Sequence, residues 1–177
     1  SLNENFRECT NFNGNIDNWD VSNVTNMNLM FYAASSFNQP LNSWNTSNVE
    51  AMGNMFGYAS SFNQPLNNWD VSSVTNISDM FFSASSFNQP LNNWNTSNIT
   101  NMFRVFRFSA FNQDISSWDI NQVTNFNDFL LSQTLSTTNY DLLLTAWDAQ
   151  GAMSFSGTVD FGSSVYTLGG AVETART

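Results

Sequence analysis

The sequence predicts an α/β solenoid: a right-handed stack of short coils, with parallel strands on one face, short helices on the other and a cap at the C-terminal end. Three observations predict it. Phe12, Phe37, Phe62 and Phe87 stand 25 residues apart, and a fifth phenylalanine, Phe111, arrives one residue early. Trp19, Trp44, Trp69, Trp94 and Trp118 keep step with them, so the lost residue falls between Trp94 and Trp118, where Ser83-Ala84-Ser85-Ser86-Phe87 in one copy becomes Ser109-Ala110-Phe111 in the next. From about Thr134 the period stops, as expected where an open apolar end needs covering. A fixed repeat of this size marks units that cannot bury an apolar face alone and must stack on their neighbours.

Length and composition bound the rest. The 177 residues suffice for one elongated domain: a partial N-terminal coil over 1–11, five repeats over 12–131 and a capping segment over 132–177. Only 10% of residues are charged, and Asn, Ser and Thr crowd the positions between apolar ones. Fourteen acids face four bases, Arg7, Arg104, Arg107 and Arg176, for a net charge of −10, with no lysine and no histidine. Such a chain repels phosphate backbones and anionic lipid, which argues against nucleic acid as a partner. No apolar run approaches the ~20 residues of a membrane-spanning helix, so membrane insertion is not expected. Cys9 is the only cysteine, so stability must come from stacking rather than from an internal disulfide. The chain starts inside what reads as a partial coil, Leu2 to Thr10, as a trimmed part of a longer protein would.

Taking the third repeat as the example, Leu66, Trp69, Val71 and Val74 follow the L-x-x-L-x-L spacing of a leucine-rich-repeat strand. The alternation from Trp69 to Val71 predicts a short strand with Trp and Val inward and Asn68, Asp70 and Ser72 outward. The spacing then changes to Val74, Ile77, Met80, Phe81 and Ala84, one face of a short helix with Ser72 or Ser73 as its N-cap. Ser85 to Pro90 returns the chain. Stacking would pile equivalent residues into columns. The phenylalanines at 12, 37, 62, 87 and 111, and those at 31, 56, 81 and 106, are expected inside with the Trp and Met columns. Asn13, Asn38, Asn63, Asn88 and Asn112 form an unbroken column too, expected to satisfy backbone groups of their own coil and the next. In the tail, Ser136-Thr137-Thr138-Asn139 predicts an N-cap and a helix through about Ala149, closed by Gly151. Thr158 to Thr167 has strand composition, and Ala171 to Arg176 could begin another helix.

The motif running from Met55 to Ile77 and again from Met80 to Met102, M-F-x-x-A-S-S-F-N-Q-P-L-N-N-W, resembles the BspA-like leucine-rich-repeat family of bacterial surface proteins and lipoproteins. The likeness spans all five repeats. The tail, Leu135 to Asp141 with Ala146-Trp147 and Val159-Asp160-Phe161, is similar to the segment that often closes such arrays. The resemblance implies an extracellular or cell-surface location and adhesion, with binding to a host or matrix protein. It supplies no catalytic residues. A carbohydrate partner is suggested by the polar strip of the outward strand face.

The candidate binding surface is the outward strand face. Its middle column reads Asp20, Asn45, Asp70, Asn95, Asp119, and the inward neighbour alternates with it as Val21, Thr46, Val71, Thr96, Ile120. Placing Asn between carboxylates halves a repulsion of about 3.5 kcal/mol at an effective dielectric near 20, which explains the alternation without a ligand. Asn68 and Asn93 flank the column on one side, Ser72 and Ser97 on the other. Amides, hydroxyls and carboxylates in a row could bond sugar hydroxyls or a protein partner. Calcium is disfavoured, because ~6–8 oxygen ligands are wanted and carboxylates two coils apart cannot converge on one ion. No other cofactor is expected. Without histidine or lysine, the Ser-His, Cys-His and Schiff-base routes to catalysis are absent, so an enzyme is not expected. Two alternatives stand beside a recognition module. One is a purely structural stalk, and the other is an ice- or crystal-binding surface built on Thr25, Thr75, Thr100 and Thr124, a column that Glu50 interrupts.

Overall fold

The computed structural model describes residues 1–151 and 160–167. Each repeat is one turn of chain folded from three-residue corners. Trp69 N–H donates to the Leu66 carbonyl at 3.0 Å, Val74 to Val71 at 2.9 Å, Met80 to Ile77 at 3.1 Å, Ala84 to Phe81 at 3.1 Å and Phe87 to Ala84 at 3.0 Å. Bonds of this span close β-turns. The residues at the corners, from Leu66 through Trp69, Val71, Val74 and Ile77 to Phe81 and Ala84, are all buried.

The predicted α/β leucine-rich-repeat solenoid is therefore not what the chain forms. Among the described residues there is one helix, α1 (Thr137–Asp148), and no strand. The expected strand at Trp69–Val71 is an irregular segment, and β pairing between neighbouring repeats among the described residues is limited to isolated parallel bridges, Asn26 to Ala51, Ala51 to Asn76, Asn76 to Asn101 and Asn101 to Asn125. The expected helix over Val74–Ala84 is a run of turns. Ser72 and Ser73 cap nothing: Ser72 Oγ donates to Asp70 Oδ1 at 2.6 Å and Ser73 Oγ to the Ser47 carbonyl at 3.0 Å.

The physical reason lies in where the backbone N–H groups go. Ile77, Asp79, Phe81 and Ser83 donate to Asn101, Phe103, Val105 and Arg107 of the next repeat at 2.8–3.1 Å, while Met80, Phe82 and Ala84 between them donate three residues back. A helix sends every donor back along its own chain, and a strand sends none locally. This segment divides its donors, so it becomes neither. Turning alternate donors outward requires left-handed residues at fixed places. Asp79 and Ser83 both have φ near +56°, as do Leu29 and Ala33, Asn54 and Tyr58, and, within a few degrees, Arg104 and Phe108. For a side chain other than glycine this costs about 1–2 kcal/mol per residue. Part of the return is visible at Leu29, Ala33, Asn54, Tyr58, Asp79, Ser83 and Arg104, whose N–H groups each reach a carbonyl of the following repeat. Leu2, Glu4, Phe6 and Glu8 do the same to Asn26, Asn28, Met30 and Tyr32.

The side-chain columns are present. Phe31, Phe56, Phe81 and Phe106 stack face to face with centroids 5.4–5.8 Å apart, each also lying about 4 Å from its partner in the series Phe37, Phe62, Phe87 and Phe111. Trp44 stacks on Trp69 at 6.2 Å and Trp94 on Trp118 at 6.0 Å. The indole N–H groups of Trp44, Trp69, Trp94 and Trp118 donate to the carbonyls of Ile16, Leu41, Leu66 and Leu91 at 2.9–3.1 Å. These four buried indoles thus keep their polar edges satisfied. Trp19, at the N-terminal end of the pile, is 41% exposed. In the shortened fourth repeat the Ser109 hydroxyl replaces a backbone corner, accepting from Phe111 N–H at 3.2 Å and donating to the Phe106 carbonyl at 2.8 Å.

At the C-terminal end, α1 forms where the capping pattern predicts it, with Ser136 as N-cap accepting from Asn139 N–H and Ala149 as C-cap. Tyr140, Leu143, Leu144 and Trp147 form its buried face, and Trp147 lies 5.3 Å from Phe126 and 5.8 Å from Phe129. Residues 160–167 hold turns rather than the expected strand, while Thr158, Val159 and the helix expected over Ala171–Arg176 lie outside the described residues. No helix among the described residues is long and apolar enough to cross a membrane.

Candidate functional site

The strip singled out in the sequence lies on the surface, but not on a sheet. Asp20, Asn45, Asp70 and Asn95 are exposed and Asp119 is half-buried; Asn68 and Asn93 are exposed, and Ser72 and Ser97 half-buried. One local motif recurs along it. Oδ1 of each middle-column residue accepts the backbone N–H two residues on, at 3.0 Å for Asp20, 3.2 Å for Asn45 and Asn95, and 2.9 Å for Asp70 and Asp119. The same oxygen also accepts a side-chain donor, from Ser22, Ser47, Ser72, Ser97 or Asn121. These are Asx turns, and Asp and Asn form them equally well. The other polar atom, Oδ2 of the aspartates and Nδ2 of the asparagines, makes no hydrogen bond among the described residues. The serine hydroxyl and then the backbone N–H of Ser22 hold the Asp20 carboxyl below the usual aspartate range, and Ser72 does the same for Asp70. The three carboxylates stay on alternate turns, and no group of three or more acids, cysteines or histidines converges among the described residues.

The asparagine column beside the phenylalanines is a scaffold that ties one turn to the next. Oδ1 of Asn13, Asn38, Asn63 and Asn88 accepts the backbone N–H of Asn38, Asn63, Asn88 and Asn112 at 2.8–3.0 Å, together with the side-chain amide of Gln39, Gln64, Gln89 or Gln113. The ladder ends on the cap, where Asn112 Oδ1 accepts from Ser136 N–H at 2.8 Å and Asn139 Nδ2 at 3.1 Å. With both lone pairs committed, these amide oxygens hold neighbouring turns together.

A second surface escaped the sequence reading. Tyr32, Tyr58, Phe82 and Phe108 meet edge to face in succession, with centroids 5.5, 5.0 and 6.0 Å apart. Tyr58 and Phe108 are 44% and 45% exposed. The guanidinium of Arg7 lies 5.6 Å from the Tyr32 ring, that of Arg104 5.0 Å from Phe82 and 4.3 Å from Phe103, and that of Arg107 5.0 Å from Phe108. Each arginine also has carboxylate partners: Glu4 and Glu8 for Arg7, Asp79 for Arg104 and Asp128 for Arg107. Asp79 is the buried member of the set. Burial pushes its carboxyl above the usual range, against the pull of Arg104, whose Nε lies 2.8 Å from Oδ1 without the alignment of a hydrogen bond. A signal for the ridge was present in the sequence. Aromatic residues alternate between the column at 32 and 82 and the adjacent one at 58 and 108, so neither column alone looks continuous.

A family model described as "Mycoplasma protein of unknown function, DUF285" matches residues 1–74 and 65–165. No curated protein and no solved structure matches the chain.

Proposed function

For a chain that belongs to the DUF285 family, we propose a non-catalytic recognition module that acts at the bacterial cell surface or outside the cell, binding a host or matrix protein or a carbohydrate along the strip from Asp20 to Asp119. One observation carries this reading. In all five turns one side-chain oxygen is locked into an Asx turn while the second polar atom has no hydrogen-bond partner among the described residues. A ligand would meet side chains already held in place and lose less free energy to ordering them. The likeness of the repeat motif to BspA-like surface proteins supports the location. A chain without histidine or lysine, with its carboxylates spaced apart, favours binding over chemistry.

Profiles on a glycan array and a matrix-protein panel, compared between the wild-type chain and Asp70→Lys/Asn95→Lys, test the strip. The variant should lose its ligand while keeping its melting temperature within a few degrees. Identical profiles would favour the second reading, a stalk in which the Asx turns serve only the fold. The module takes no cofactor in this reading, and a melting temperature that moved between chelator and millimolar calcium would contradict that.

A further inference from the structure

We propose that the aromatic ridge is a separate binding face for a linear, uncharged, β-linked glycan. The first ground is exposure: Tyr58 and Phe108, nearly half in solvent within a line of four aromatic rings in edge-to-face contact, mark an interaction surface rather than leftover core. Gly57 helps to shape it, because a Cβ there would stand 3.1 Å from Cδ2 of Tyr32, on the flank of that ring.

The second ground is the repeat of the ridge itself. Successive rings are turned by 78°, 77° and 70°, so the protruding rings, Tyr58 and Phe108, recur only every second turn. Tyr32 and Phe82 lie lower, beneath Arg7 and Arg104, whereas the Phe108 ring, with Arg107 5.0 Å from its centroid, stays 45% exposed. A β-1,4-linked pyranose chain has the matching symmetry. Alternate sugars are flipped, so the same apolar C–H face returns at every second unit, and the spacing of the rings is comparable to the length of one sugar.

The third ground is charge. On a protein of net charge −10, the three described bases all stand on this ridge, each within 3.2 Å of a carboxylate. The cations are therefore spent, and the ridge neither attracts an anionic polymer nor repels a neutral one. An uncharged ligand with an apolar face is the complement of such a surface, stacking on rings as aromatic groups stack on each other.

Titration calorimetry with cellohexaose, chitohexaose and, as an anionic β-1,4 comparator, a mannuronate hexamer tests the proposal. At least one neutral hexamer should bind, Tyr58→Ala/Phe108→Ala should weaken it by more than tenfold, and the mannuronate hexamer should bind no better than to that double variant. Asp70→Lys/Asn95→Lys should bind the neutral hexamer as the wild type does, which separates this face from the strip. Saturation-transfer NMR on the unsubstituted protein reads the same contact if the double variant fails to fold, with transfer expected to the axial C–H protons. The proposal is overturned if neither neutral hexamer binds or if the double variant binds undiminished. Tighter binding of the anionic hexamer would also overturn it, as would a concentration-dependent dimer lost in the double variant, which would make the ridge a contact between copies of this chain.

Discussion

Thr46 donates its hydroxyl to the backbone carbonyl of Asp70, one turn further along the stack, at 2.9 Å, and Thr96 does the same for Asp119 at 2.8 Å. Both threonines are 1% exposed. The repulsion argument accounts for Asp alternating with Asn, and this bond gives the inward alternation of Val with Thr a cause of its own. A buried hydroxyl is tolerated where a carbonyl of the neighbouring turn accepts its hydrogen bond, and Val71, between Asp70 and Ser72 of the Asx turn, packs without one. Thr46→Val keeps the shape and removes the donor, so it should cost about 1–2 kcal/mol. Thr96→Val should cost a similar amount and add to it, since the two sites share no partner. Urea unfolding midpoints at constant slope measure both.

The Asn63 side chain bridges two turns, with Oδ1 accepting both Asn88 N–H and Gln89 Nε2 at 3.0 Å. Asn63→Ala leaves the Asn88 N–H without its acceptor and should cost about 1–3 kcal/mol. Asn63→Asp retains an oxygen acceptor at the same place and should recover most of that loss. If the two variants melted alike, the ladder would contribute packing rather than hydrogen bonds.

What the sequence disclosed follows from what periodicity measures. Side chains 25 residues apart share a column whatever the backbone does between them, so the phenylalanine stacks and the asparagine ladder were legible from Phe62, Asn63 and their equivalents. The backbone was not. A three-residue corner buries Val74, Ile77 and Met80 at the same spacing as one face of a helix, and two residues, Trp69 and Val71, cannot distinguish a strand from the arm of a turn. The residues that decide the matter are left-handed, and Leu29, Ala33, Tyr58 and Phe108 carry no signature of it, since glycine or asparagine would be expected there. At the strip, exposure was readable from polarity, but the Asx turns that commit each Oδ1 depend on the local bend at Ser22, Ser72 and Asn121. Helix α1 was legible because its signals, Ser136 before the apolar face of Tyr140, Leu143, Leu144 and Trp147, are local in the chain.

Asp70 supplies a titration test of the strip. The Ser72 hydroxyl and then its N–H bond the ionised carboxylate, so the folded pKa lies below the unfolded one. The resulting stabilisation is fully present above the unfolded aspartate pKa of about 3.9 and is lost as pH falls through the lower folded value. Ser72→Ala should move Asp70 upward towards the ordinary range in a carboxyl-carbon NMR titration. Asp20, held low by its own Ser22 rather than by Ser72, should not move in that variant.

Asp79 works in the opposite sense. Its carboxyl is raised by burial, with Arg104 pulling the other way, so the ionised form is disfavoured in the folded chain. The associated cost is present above the folded pKa and vanishes as pH falls to the unfolded value. Arg104→Met removes the partner while keeping much of the contact with Phe82 and Phe103, leaving a buried carboxylate alone. The loss at pH 7 should be about 2 kcal/mol, below the ~3–5 kcal/mol of a fully buried pair because the Arg104 side chain is 32% exposed. It should shrink as pH falls towards 4. Asp79→Asn should be neutral or stabilising at pH 7, because the equivalent position one turn earlier is already asparagine, Asn54, with the same φ of 56°. Adding Asp79→Asn to Arg104→Met should therefore restore most of the stability that Arg104→Met loses. Thermal melts of the three variants at pH 7 and pH 4.5 decide it: a loss in Arg104→Met that is independent of pH and survives Asp79→Asn would mean that the arginine acts through its packing on the ridge and not through its charge.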